Sequence, residues 1–151
     1  MPSFERKHSV NFSARNMFDL VADIEKYPEF LPLCESLSVQ SRREKKGRIL
    51  LMASMSVGYK GIRETFSTKV MLHQEAHQID AQYIDGPFKY LNNRWVFEET
   101  GDNSCDIIFF IDYEFKSKML GVLMGSMFDR AFNKYVTAFE ERASIIFNSG
   151  E

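Results

Sequence analysis

At 151 residues with a formal net charge of -2, the chain can bury one real core but is too close to neutral to bind nucleic acid by overall phosphate neutralisation. Its 44% hydrophobic and 26% charged content is that of a soluble globular protein. The longest uncharged apolar run, Met119 to Phe128, is about half a membrane span. The 14 Phe and 8 Met suit either an aromatic-rich β core or an adaptable pocket for apolar ligands.

Phe4, Arg6, His8, Val10 and Phe12 alternate with polar residues and predict a first strand. Ser13 can then cap a helix with Met17, Phe18, Val21 and Ala22 on one side. Pro28 suits the first turn of a second short helix that Pro32 stops. Strands are expected at about 34–43, 48–58, 61–72, 77–84 and 89–99, divided near Gly47, Gly58/Gly61, Glu75 and Asp85-Gly86-Pro87. A last strand at about 104–115 leads into one long helix, roughly Ser117 to Phe147. From Asp129 onward this helix reads as amphipathic, with Ala131, Tyr135, Ala138, Phe139 and Ile146 on one side.

Short turns between consecutive strands imply an antiparallel meander, and the long helix is the cover available for its apolar face. The expected architecture is α+β, with residues 1–151 in a single domain. A curved seven-stranded antiparallel sheet wraps the C-terminal helix, and two short helices after strand 1 close one end.

Strand parity locates the inner face. Ile62, Phe66, Val70 and Leu72 face inward with Glu64, and Leu91, Trp95 and Phe97 face inward with Asn93. Ile107, Phe109, Ile111, Tyr113 and Phe115 share that face, while Ile108 and Phe110 point away from it. A carboxylate inside an apolar shell must be paired, hydrogen-bonded or protonated. Glu64 and Asn93 therefore either anchor a ligand or satisfy each other, Arg6 or His8 structurally.

Catalytic and metal signatures are weak. His73 and His77 straddle an expected turn, so their rings need not converge. Gly121 and Gly125 form a small-xxx-small pair that either admits close approach to the sheet or leaves room for a ligand. Cys34 and Cys105 lack metal spacing and read as free buried thiols of a reducing compartment. The N-terminus carries no apolar signal or Arg/Ser-rich transit pattern, which predicts a cytoplasmic location with any membrane contact peripheral. Arg42, Arg43, Lys45, Lys46 and Arg48, interrupted by Glu44, form a basic cluster around Gly47.

Several strings carry a family resemblance. Val21-Ala22-Asp23-Ile24-Glu25-Lys26-Tyr27-Pro28-Glu29-Phe30-Leu31-Pro32 is similar to the signature of the coenzyme Q-binding START-domain family. That family lies within the polyketide cyclase/dehydrase-like helix-grip (START/Bet v-like) superfamily and includes the ribosome-association toxin RatA. Lys60-Gly61-Ile62-Arg63-Glu64, the Asp85 to Trp95 segment and Asp112-Tyr113-Glu114-Phe115-Lys116-Ser117 resemble the same family, so the likeness spans almost the whole chain.

The resemblance implies a non-catalytic protein that holds a ubiquinone-like polyprenyl lipid and supports respiratory electron transport, with no cofactor required. The slightly acidic chain favours that lipid reading over the alternative the resemblance also implies, a toxin that binds the large ribosomal subunit and blocks subunit joining; a cyclase or aromatase with Glu64, His8 and Tyr113 as acid/base groups is a third. For the lipid reading, the ligand-contacting set comprises Glu64, Phe66, Leu91, Asn93, Trp95, Phe109 and Ile111 on the sheet. Leu120, Leu123, Met124, Met127 and Phe128 on the helix start complete it, with Phe30 and Leu31 opposite them at a membrane-facing mouth. DNA is not an expected partner.

Overall fold

The computed structural model describes residues 3–59 and 61–148; Lys60 of the Lys60–Glu64 string lies outside them. Strand β1 (Ser3–Val10) is followed by α1 (Ala14–Ala22) and a 3-10 segment (Ile24–Glu29). Strands β2 (Cys34–Lys45), β3 (Arg48–Tyr59), β4 (Ile62–His73), β5 (Gln78–Asp85), β6 (Phe88–Gly101) and β7 (Ser104–Phe115) then run consecutively to α2 (Lys118–Asn148).

The strands form one antiparallel sheet in the order β1-β7-β6-β5-β4-β3-β2, so the meander closes back on the first strand. Register shifts between Val39 and Ser41, Ser67 and Thr68, and Phe88 and Tyr90 insert extra residues into single strands. Such bulges bend and twist a sheet, which lets it curl around one helix. On β7 every second residue from Cys105 to Phe115 is buried, the alternation expected of a sheet with one covered face.

The short helices begin and end for local reasons. The Ser13 hydroxyl accepts a 3.1 Å bond from the Asn16 amide, capping α1, and Met17, Phe18, Leu20 and Val21 are buried. The Tyr27 hydroxyl donates to the Val21 carbonyl, folding the 3-10 segment back on α1. The Ser117 hydroxyl caps α2 by accepting from the Leu120 amide at 3.1 Å.

The buried stripe of α2 runs through Met124, Met127, Phe128, Ala131, Phe132, Tyr135, Val136, Phe139 and Ala143. Ile146, expected on that side, is 44% exposed. The stripe passes from Ala143 to Phe147, whose ring lies 6.0 Å from that of Phe12, and leaves Ile146 to one side. A Cβ on Gly121 or Gly125 would meet nothing within 4 Å, so these glycines do not serve close approach to the sheet. Ties along the helix are polar: Arg6 donates to the Asn133 carbonyl at 2.6 Å, and His8 Nε2 lies 2.7 Å from Glu140 Oε1. Among the described residues no helix is long and apolar enough to cross a membrane.

Candidate functional site

Between the inner face of the sheet and α2 lies a cavity of about 100 Å³. Its wall is overwhelmingly apolar and carries no charged side chain; Tyr27, Thr68, Asn93, Trp95 and Tyr135 supply its polar groups. Phe128, Phe132, Tyr135 and Phe139 enter from α2 at spacings that keep them on one helix face. The Trp95 ring sits 4.5 Å from Phe109 and 5.1 Å from Phe139, centroid to centroid, so sheet and helix meet through aromatic edges. Cavities that hold drug-sized ligands are typically about 300–1,000 Å³, and an engineered apolar cavity of about 150 Å³ holds benzene. The chamber is therefore smaller than both and is not a long tunnel.

Of the expected contact residues, Leu31, Phe66, Leu91, Asn93, Trp95, Phe109, Ile111 and Phe128 line this wall. The other six lie elsewhere. Glu64 sits near the start of β4, opposite Val57, and is not part of the wall. Its expected internal pairings do not form: Asn93 donates to the Phe110 carbonyl at 2.9 Å, Arg6 to Asn133 and His8 to Glu140. Met124 and Met127 are buried and Leu120 half-buried, but none of the three lines the chamber, and Leu123 is 54% exposed.

Phe30 packs on Phe139 at 5.2 Å under the Arg142 guanidinium, at 5.1 Å. That position is roughly 27 Å along α2 from its uncharged start, at about 1.5 Å per residue. Phe30 and Leu31 therefore do not face Met119–Leu123 across a mouth. The apolar surplus at the helix start is largely surface: Met119 is 72% and Val122 81% exposed.

Strand parity does not reach Tyr27, Phe132, Tyr135 and Phe139, which also line the wall. The helical spacing Phe128-Phe132-Tyr135-Phe139 is the sequence signal that marks three of them. Burial, followed by neighbouring charge, pushes the Tyr27 and Tyr135 phenols well above the usual tyrosine range. The Tyr135 hydroxyl is buried without a hydrogen-bond partner among the described residues. His8, Glu64 and Tyr113 are not brought together: Tyr113 donates to Asp129 at 2.7 Å, and none of the three lines the cavity. His73 turns to Asp80, at 3.1 Å, while the His77 ring lies 5.7 Å from that of Phe18.

A second candidate surface lies at the β2–β3 hairpin. Lys46 and Gly47 adopt φ of +50° and +78°, the left-handed pair that a two-residue primed turn needs. Residues 41–48 are all exposed, and none of the five cations forms an ion pair among the described residues. Lys45 stands directly opposite Arg48, with Arg43 on the same face, whereas Glu44 pairs with Ile49 and points to the other face.

This architecture is that of a helix-grip protein enclosing an apolar chamber. The model of the family described as polyketide cyclase/dehydrase and lipid transport matches residues 10–140, and the chain belongs to this START-like family. A ribosome association toxin RatA of Vibrio cholerae is 35% identical over 97% of this chain and 99% of its own. Coenzyme Q-binding protein COQ10 homolog B of Xenopus laevis is 31% identical over 94% of this chain and 58% of its own. An 18 kDa protein of Caulobacter crescentus, solved in solution, superposes with a TM-score of 0.80 at 31% identity, covering 98% and 99% of the two chains.

Proposed function

We propose that this protein associates with the ribosome, contacting RNA through the β2–β3 hairpin, with the large subunit as its target and subunit joining as the step it blocks. The observation that carries this reading is the direct opposition of Lys45 and Arg48 on a face that also presents Arg43. Like charges placed directly opposite each other on a sheet destabilise it, so stability alone does not account for them. Phosphates would neutralise them and release counterions. Full-length likeness to relatives named as ribosome association toxins supports the same reading. Co-sedimentation with purified large subunits tests it. The wild-type chain should pellet with them at moderate salt, and a variant with Arg43, Lys45 and Arg48 changed to Gln should stay in the supernatant.

The neutral aromatic chamber favours a second reading, the binding of an isoprenoid quinone by its ring. Likeness to a protein named as coenzyme Q-binding supports it. A polyprenyl tail would have to leave the roughly 100 Å³ chamber, by separation of α2 from the sheet or past its ends. Solvent extraction of the protein purified from cells, followed by mass spectrometry, should return a quinone; extraction of no lipid, with no uptake of added quinone, contradicts this reading.

A further inference from the structure

The cations of the β2–β3 hairpin do not end at its tip. Residues directly opposite each other on paired strands share a face, so each register can be followed from β2 to β6. The register of Lys45 and Arg48 continues through His73, Gln78 and Val96. That of Arg43 continues through Leu50, Met71, Asp80 and Arg94, and the next runs Ser41, Met52, Lys69, Gln82 and Asn92. This face is turned away from α2, because the alternate residues Ile49, Leu51, Val70, Leu72 and Ile79 are buried. Along these registers Arg43, Lys45, Arg48, Lys69 and Arg94 stand against a single carboxylate, Asp80, which Arg94 already holds at 2.7 Å.

Where β4, β5 and β6 meet on this face lies a cleft of about 430 Å³, with Lys69, Gln82, Asn92, Arg94 and the half-buried Phe110 in its wall. Lys69 forms no ion pair among the described residues, and the Gln82 and Asn92 side chains form no hydrogen bond there; all three are exposed. A cation and two free amides in one register, beside an aromatic ring, match the phosphate, base edge and base face of a nucleotide. Paired strands lie about 4.8 Å apart and same-face residues about 6.8 Å apart, so Lys69 is roughly 12 Å from Arg43, a distance that a short stretch of RNA spans. We propose that this cleft seats one unpaired nucleotide of ribosomal RNA, with Lys69 at a phosphate, Gln82 and Asn92 at the edge of the base and Phe110 against its face. The proposal deepens the ribosome reading above and rests on it.

The test measures affinity for isolated large ribosomal subunits across a potassium chloride series. Gln82→Ala combined with Asn92→Ala should weaken binding about 10-fold, the loss expected for two hydrogen bonds. It should leave the salt slope unchanged, because neutral groups release no counterions. Lys69→Gln should flatten that slope by roughly 0.7 to 1. Phe110→Leu should weaken binding about 5-fold or more through lost stacking, with an unchanged near-ultraviolet dichroism spectrum to confirm the fold. Lys134→Gln, which removes an exposed and unpaired cation from α2, should change neither affinity nor slope. If the double amide variant binds as tightly as wild type while the Arg43, Lys45 and Arg48 to Gln variant does not bind, the nucleotide seat is overturned and the hairpin reading stands. If Lys134→Gln weakens binding as much as Lys69→Gln, the effect is one of overall charge and the seat is overturned as well. If the wild-type chain does not bind the subunit, the seat and the ribosome reading fall together.

Discussion

The hydroxyl of Tyr113 donates a 2.7 Å hydrogen bond to Asp129, joining the last strand to the last helix. Six residues further along that helix, the Tyr135 hydroxyl has no such partner among the described residues. The two phenols should therefore respond oppositely to loss of the oxygen. Tyr113→Phe removes a satisfied bond to a carboxylate and should cost about 1–2 kcal/mol. Tyr135→Phe removes a buried, unsatisfied group and should raise stability by about 1 kcal/mol or more. Urea denaturation of both variants against wild type checks the sign directly.

Glycine substitutions should also split by position. Gly86 has φ of +142°, and a Cβ there would lie 2.5 Å from the Phe66 Cβ and 2.9 Å from its Cα. Gly86→Ala should cost about 2 kcal/mol or more, because both the backbone angle and the space oppose it. Gly125 is helical, and a Cβ added to it would meet nothing within 4 Å. Gly125→Ala should therefore stabilise by about 0.5–1 kcal/mol. Thermal unfolding of the two variants separates the cases.

The outer face of the sheet predicts an acid-sensitive step. Burial raises the Asp80 carboxyl, but hydrogen bonds from Arg94 and Gln78 and the nearby Arg94 and His73 charges outweigh it, leaving the group below its ordinary value of 3.8. A carboxyl lowered in the folded state contributes stability that is present above its unfolded pKa and lost as pH falls through the folded one. Stability measured downward from pH 5 should fall less steeply in Asp80→Asn than in wild type.

At the alkaline end the sign reverses. Burial pushes the Cys34 and Cys105 thiols up to about 11 from an ordinary 9.0. Both stay protonated in the fold where the unfolded chain ionises, so stability falls as pH rises through about 9, and the loss levels off above about 11. The same burial slows thiolate chemistry. Iodoacetamide at pH 8 should modify neither cysteine until denaturant is added, as mass spectrometry would show.

Much of the fold is legible in the sequence because strand parity and turn chemistry are local. Each expected strand begins and ends near its observed position, and the Ser13 and Ser117 hydroxyls cap their helices. The chamber is legible from the sheet side for the same reason: Phe66, Leu91, Trp95, Phe109 and Ile111 alternate with outward residues. Parity does not say how far along each strand the helix reaches. Glu64 shares the inner face of β4 yet lies beyond the chamber. At the helix start an all-apolar segment hides its own orientation; Met124 is buried while Val122, two positions away, is open to solvent. Which end of α2 Phe30 meets depends on the path of the 3-10 segment, which no local pattern records.

Ribosome association through the hairpin is the central claim, and one charge reversal bears on it twice. Lys45→Glu places a carboxylate opposite Arg48, which should add about 0.5–1 kcal/mol of stability while weakening the interaction. The decisive measurement is the affinity of wild type and this variant for isolated large ribosomal subunits across a potassium chloride series. If the hairpin meets phosphates, the logarithm of the wild-type affinity should fall with the logarithm of salt at a slope of about 3, and Lys45→Glu should flatten that slope by at least about 1. A variant that binds as tightly as wild type, with the same salt slope, would contradict association through this hairpin.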